Sequence, residues 1–302
     1  MLVLPHPLQV GDRLLVIAPS GALRELDALQ KGIEIWRSRG YRVELSPGYD
    51  QRWGYLAGTD AERRSQLEAA WLDPDCRAIL CARGGYGGAR LLEAWHWSPI
   101  DRPKWLIGFS DITSLLWGLC REEISGVHGP LLTTLSAEPD WSVQRLFDWV
   151  EGRSLAPLQG VGWGGGQASG VLLPANLTVA THLLNTFAQP SLVGAILAFE
   201  DVTEAPYRID RMLTQWRMSG AFSKVRGIAL GRFSQCDPPP NIPSFTVEEV
   251  LRDRLSDLGI PIVSDLPFGH DGVNAALPVG VLAQLDGETG TLSVNLSVPE
   301  LL

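Results

Sequence analysis

The apolar runs in the first half of this chain are continuous, and each closes on glycine, proline or serine before a helical pattern begins. Leu14-Leu15-Val16-Ile17-Ala18 ends at Pro19-Ser20-Gly21. A strand that is apolar at every position has both faces covered, as a parallel strand does between two helical layers. Residues 22–38 then set Leu26, Leu29, Ile33, Ile35 and Trp36 at helical spacing and stop at Gly40. Tyr41–Leu45 is a second strand, and Thr59-Asp60-Ala61-Glu62 is a capping box opening a helix to about Leu72. Arg77–Ala82 and Lys104–Ile107 are further strands, the latter followed by a helix over Asp111–Arg121. This alternation predicts an α/β fold with a mostly parallel sheet.

The pattern breaks over residues 152–170, where Gly160-Val161-Gly162-Trp163-Gly164-Gly165-Gly166 is the most glycine-rich stretch. The expected organisation is an N-terminal α/β domain over 1–150, a glycine-rich connection over 151–170 and a second domain over 171–302. In the second part a helix at 176–187 precedes the strand Ala195–Phe199, and a helix at 207–218 precedes Val225–Leu230. The loop 236–243 is too rich in proline for regular structure. A helix at 246–257, a short strand at 260–263 and alternating strands at 279–285 and 291–296 complete a mixed α/β pattern.

Composition removes several function classes. The 25 basic and 34 acidic residues give a net charge of −9 with no Lys/Arg-rich run, which argues against nucleic-acid binding. Cys76, Cys81, Cys120 and Cys236 form no C-x-x-C pair and no zinc-spaced cluster with histidine, so no metal site is expected. They read as buried thiols in a reducing compartment. No apolar run of about 18 residues is present to span a membrane. The opening Met1-Leu2-Val3-Leu4-Pro5-His6-Pro7 lacks the basic region of a leader, and a cytoplasmic protein is expected.

Chemistry concentrates in four segments. In Gly108-Phe109-Ser110-Asp111-Ile112-Thr113 a lone serine sits between a strand and a helix start, where a hydroxyl is exposed beside backbone N–H donors. Ile112 stands where the G-x-S-x-G elbow has its second glycine, and Ser110 taken alone reads first as a helix N-cap. Arg83-Gly84-Gly85-Tyr86-Gly87-Gly88 follows a strand and suits an oxyanion hole, or a plain turn. Among the histidines, His6, His96 and His182 read as structural, and His128 as a neighbour of a site. His270 lies in a loop of turn residues, Asp265–Asn274, suited to presenting a functional side chain. Glu200-Asp201 closes an apolar strand, where a carboxylate can orient an imidazole or merely form a solvated acidic turn.

Taken together, Ile17–Gly21, Arg83–Gly87, Gly108–Thr113, His128–Pro130, Glu200-Asp201, Tyr207–Leu213, Gly269-His270 and Leu277–Gly280 resemble the LD-carboxypeptidase (muramoyltetrapeptide carboxypeptidase) family in order along nearly the whole chain. The resemblance implies a Ser-Glu-His triad of Ser110, Glu200 and His270, with an oxyanion hole from the Gly85 and Asp111 N–H groups. It implies a parallel-sheet domain carrying the serine and a C-terminal domain supplying Glu and His, with no cofactor. One departure stands out: Pro174-Ala175-Asn176-Leu177 replaces the family's Gly-Gly-Asn-Leu.

The implied substrate is a murein peptide ending in a D-amino acid, released as D-alanine during peptidoglycan recycling. Its terminal carboxylate calls for cationic or N–H-rich partners. Arg83, Gly84, Tyr86, Asn176, Arg208 and Arg211 are the substrate-contact candidates, Arg211 equally as a partner of Asp210 or Glu204. The family's microcin-immunity branch, which cleaves peptidyl or aminoacyl nucleotides, is a second reading with the same triad. A non-catalytic small-molecule-binding α/β protein is a third. The family resemblance and the 11 tryptophans suggest a homodimer.

Overall fold

A computed structural model describes residues 2–238 and 241–294. The expected proline-rich loop includes 239 and 240, and the expected last strand includes 295 and 296; these four positions lie outside the described residues. In chain order the elements begin β1 (Arg13–Ile17), α1 (Leu26–Ser38), β2 (Arg42–Leu45), α2 (Asp60–Leu72) and β3 (Cys76–Cys81). They continue α3 (Gly88–Leu92), β4 (Trp105–Gly108), α4 (Thr113–Arg121), β5 (Val127–His128), α5 (Leu132–Leu135) and α6 (Asp140–Val150). Next come β6 (Leu158–Gln159), β7 (Val161–Gly162), β8 (Gln167–Asn176), α7 (Leu177–Leu183), β9 (Ala195–Val202) and α8 (Pro206–Met218). The last are β10 (Gly227–Ser234), α9 (Val247–Leu255), β11 (Ile262–Ser264), β12 (Leu277–Pro278), β13 (Leu282–Asp286) and β14 (Thr291–Val294).

These elements form two compact units. Of the described residues, the first holds those up to Arg153 together with Ala275–Gly280, and the second holds those of 154–274 and from Val281 to Val294. The first unit contains a six-stranded sheet in the order β12-β5-β4-β3-β1-β2. Its β1 to β5 are parallel, and β12 closes the edge antiparallel to β5. Leu14, Val16, Ile17, Ile79, Leu106 and Val127 are fully buried on this sheet, as the unbroken apolar runs require. The expected capping box is present, with the Glu62 N–H donating to Thr59 Oγ1 and the Thr59 N–H to the Glu62 carboxylate.

The strand order has a functional consequence. From β1 the chain turns outward to β2, then crosses back to β3 on the other side, so the loops after β1 and β3 diverge. Ligands in open parallel sheets bind at such a switch point, beyond the carboxyl ends of the strands. Ser20, the loop Arg83–Gly88 and Ser110 all follow the carboxyl ends of β1, β3 and β4.

The second unit contains an eight-stranded mixed sheet, β6-β14-β13-β8-β9-β10-β11-β7. Strands β8 to β11 run parallel at its centre, flanked by antiparallel strands. The glycine-rich stretch expected in a connection contributes β7 to this sheet, where it pairs with β11. Trp216 of α8 and Phe199 of β9 are both fully buried and meet edge to face at 5.0 Å between ring centroids. Among the described residues no helix is long and apolar enough to cross a membrane, and all four cysteines are free.

Candidate active site

In the first unit, Ser110 opens a short 3-10 turn between β4 and α4 with φ of 62°. A non-glycine residue in that left-handed region stores roughly 1–2 kcal/mol, which the surroundings must supply. Such strain is common where a side chain must be held out from a strand end. The missing elbow glycine has a local answer. Ile112 is fully buried, and its side chain lies 3.0 Å from where a Cβ on Gly108 would stand, so the elbow's first glycine leaves room for the isoleucine at the place of its second.

Gly84 backs the serine. A Cβ there would stand 3.1 Å from Ser110 Cβ and 3.2 Å from Ser110 Oγ, so only glycine lets the β3 loop lie this close. Beside it Gly85 is exposed with φ of 113°, and Asp111 is buried. The Asp111 carboxylate accepts hydrogen bonds from Ser20 Oγ at 2.5 Å and from the Gly88 N–H at 2.7 Å. Burial pushes this carboxyl above the usual range, and its hydrogen bonds work against that shift. Arg83 Nε lies 3.3 Å from Glu25, and its guanidinium crosses Gly21 and Gly85. Tyr86 is exposed, with its ring 5.9 Å from that of Tyr55. His128, expected near a site, is fully buried in β5 with its ring edge-on to Phe109.

In the second unit, Glu200 ends the parallel pairing of β8 and β9 in register opposite Asn176, and Asp201 follows it, paired with Phe233 of β10. Glu200 is fully buried, and His270 Nδ1 lies 2.6 Å from Glu200 Oε2. That distance assigns the Nδ1 proton to the bond with Glu200 and leaves the lone pair of the neutral ring on Nε2. Burial alone would push the imidazole pKa down, but the Glu200 charge and hydrogen bond outweigh it and raise it above that of an ordinary histidine.

Asn176 caps α7, its side chain accepting from the Val179 N–H at 3.1 Å. Its amide also donates to Glu200 Oε1 at 3.3 Å and to Asp201 Oδ1 at 3.1 Å, so it is tied to the carboxylate pair. Asp201 accepts from the Thr178 N–H and hydroxyl as well, and burial, followed by the Glu200 charge, pushes its carboxyl up to about 6. Pro174 lies past Val171, the last β8 residue paired with β13, so proline is accommodated in this strand. Arg208 and Arg211 are exposed on α8 around the Tyr207 ring, and Arg208 pairs with Glu204 at 3.4 Å. Asp210, considered as a partner of Arg211, lies 3.6 Å from Arg254.

Sequence reasoning did not single out Asp201, Ser20 or the fully buried Arg63. A carboxylate beside Glu200 was visible, but polar residues in a turn and on a charged helix carry no sign of burial.

Comparison with known proteins sets this geometry in a family. The model of the LD-carboxypeptidase N-terminal domain matches residues 14–129, and that of the C-terminal domain matches 169–285. The chain is 63% identical over 289 residues to "Putative carboxypeptidase slr1534" of Synechocystis sp., covering 96% of each. It is 31% identical to the murein tetrapeptide carboxypeptidase of Pseudomonas aeruginosa, over 92% of this chain and 94% of that one. The wild-type microcin C7 self immunity protein MccF shares the fold, with a TM-score of 0.86 at 21% identity over 98% of this chain and 99% of that one. Through both domain matches and these full-length relatives, the chain belongs to the LD-carboxypeptidase family.

Proposed function

We propose that this protein is a serine-type LD-carboxypeptidase that hydrolyses the amide joining an L-centre to a terminal D-alanine in murein tetrapeptides, as in peptidoglycan recycling. The observation that carries the reading is the 2.6 Å bond between His270 and the fully buried Glu200. A buried carboxylate fixing one imidazole tautomer is the support that a serine nucleophile's base requires. Membership of the family supplies the reaction class.

In this reading Ser110 Oγ attacks the scissile carbonyl while His270 Nε2 takes its proton. Negative charge on the carbonyl oxygen is received by the Gly85 and Asp111 N–H groups, where loss of one donor costs about 10²–10³ in rate. His270 then protonates the departing D-amino acid, and water hydrolyses the acyl-enzyme by the same route reversed. Arg83, whose guanidinium crosses Gly85, is the cation offered to the substrate's terminal carboxylate.

The fold shared with the microcin immunity protein is compatible with a nucleotide-conjugate substrate. The murein reading is favoured by the full-length likeness to a murein tetrapeptide carboxypeptidase. Incubation with L-Ala-D-Glu-meso-diaminopimelate-D-Ala, followed by mass spectrometry of free D-alanine, tests it. Release by wild type and none by Ser110→Ala is the expected result. Equal release by the variant removes Ser110 as nucleophile, and no release by folded wild type removes the substrate.

A further inference from the structure

We propose that the buried side chains of Asp111, Ser20 and Arg63 are positioning residues that lock three active-site loops of the first unit together and aim the oxyanion donors. This inference deepens the proposed function and takes from it the roles of Ser110, Gly85 and Asp111.

Three loops end in this cluster: Pro19-Ser20 after β1, Gly84–Gly88 after β3, and Ser110-Asp111 after β4. One carboxylate oxygen of Asp111 joins all three, accepting from Ser20 Oγ at 2.5 Å and from the Gly88 N–H at 2.7 Å while its own backbone continues from Ser110. Arg63 approaches the same loops from α2. Its guanidinium donates to the Gly87 carbonyl at 2.9 Å, to the Pro19 carbonyl and to the Asp60 carboxylate. Asp60 is in turn held by Arg90 Nε at 2.9 Å. Ser20 and Arg63 are fully buried and Asp111 nearly so.

The placement of these groups argues for function over general stability. Burying a carboxylate and a guanidinium is weak support for stability, because desolvation offsets much of what their hydrogen bonds return. The cluster's value lies in fixing geometry. Gly85 and Asp111 lie on different strand connections, so their N–H groups converge on one point only if the two loops are held in register. The Asp111 carboxylate to Gly88 bond makes that register, and Ser20 and Arg63 fix it to β1 and α2. A donor displaced by about 1 Å can cost on the order of 10²-fold in turnover without weakening ground-state binding.

The test uses the full chain with Ser20→Ala, and Ser20→Thr, which restores a hydroxyl. D-alanine release gives kcat and KM, and hydrogen exchange is followed in peptides spanning 82–92 and, for comparison, α6. For Ser20→Ala, kcat is expected to fall roughly 10–100-fold with KM within about twofold, and exchange in 82–92 to quicken about tenfold while α6 is unchanged. Ser20→Thr is expected to recover part of the lost kcat. An unchanged kcat, or a loss confined to KM, overturns the proposal. If wild type releases no D-alanine, the substrate reading fails and exchange decides the proposal alone: unchanged exchange in 82–92 overturns it, and quickening confined to that segment supports it.

Discussion

His270 is governed by two opposed effects, and their balance sets the pH range over which its ring is neutral. Burial disfavours the imidazolium, whereas Glu200 at 2.6 Å favours it more, so the ring holds its proton to higher pH than an ordinary histidine. In its proposed role as general base His270 must be neutral, so kcat/KM should fall on the acid side as pH drops through this raised pKa. In Glu200→Gln the favourable charge disappears and burial prevails. The acid limb should therefore move to lower pH, while the maximum rate drops by up to roughly 10⁴-fold because the tautomer is no longer fixed. A pH–rate profile of wild type and variant with the tetrapeptide checks both effects. A limb that stays in place would mean that another group controls it. Asn176 belongs to the same balance, since its amide holds Glu200 Oε1 while its carbonyl oxygen caps α7.

Strand β10 sets the loop that carries His270. The Arg232 N–H donates to the Phe268 carbonyl at 2.8 Å, just where the β9–β10 register shifts between Leu230 and Phe233. A Cβ on Gly231 would stand 2.4 Å from the Phe268 carbonyl oxygen and 2.5 Å from its ring, so Gly231→Ala must push Phe268 and the following residues away. Crowding of this kind costs about 1–3 kcal/mol in stability, and displacement of His270, the proposed base, should add a roughly 10–100-fold loss in kcat. Gly170→Ala provides the comparison, because its Cβ would stand 2.2 Å from the Gly194 carbonyl at the end of β8 remote from Asn176. It should lose comparable stability and keep its kcat. Equal losses of kcat in the two variants would remove the special role of Gly231. The elements that place these groups were largely legible in the sequence, because uninterrupted apolar runs, a capping box and glycine stops are local signals. Ser110 and Glu200 stood out because each ends such a run. The groups that hold the site were not legible: Ser20 reads as a turn residue, Arg63 as part of a solvated helix face, and Gly231 as one more glycine. Their roles depend on burial and on contacts far away in sequence, which residue type and spacing do not encode.

At the scale of the whole chain, the first unit is completed by residues that follow the His270 loop directly. Ala275–Gly280 belongs to this unit, and Leu277 pairs with His128 to place β12 on the edge of β5. The segment is anchored by Arg145 Nε donating to the Ala276 carbonyl at 3.0 Å and by Ser125 Oγ donating to the Val279 carbonyl at 2.8 Å. Ala275, Ala276, Leu277 and Val279 are fully buried. Strand β5 in turn supports β4, the strand before Ser110, since Gly108 pairs with His128 and accepts from the Gly129 N–H at 3.1 Å. A two-residue strand far along the chain thus underpins the end of β4, where Ser110 begins. A fragment ending at Arg153 lacks it, leaving the edge of β5 and an apolar surface uncovered. Hydrogen exchange on that fragment should show β1 and β3 still protected, since their neighbours β2 and β4 are present. Protection in β5 and α6 should fall by two orders of magnitude or roughly so, from the loss of hydrogen bonds and apolar burial together. Adding a peptide of residues 273–282 should slow exchange in β5 again. If β5 is as well protected in the lone fragment as in the full chain, the returning segment is an ornament on a sheet that stands without it; if protection collapses there alone, the segment after the His270 loop is part of what holds the strand before Ser110 in place.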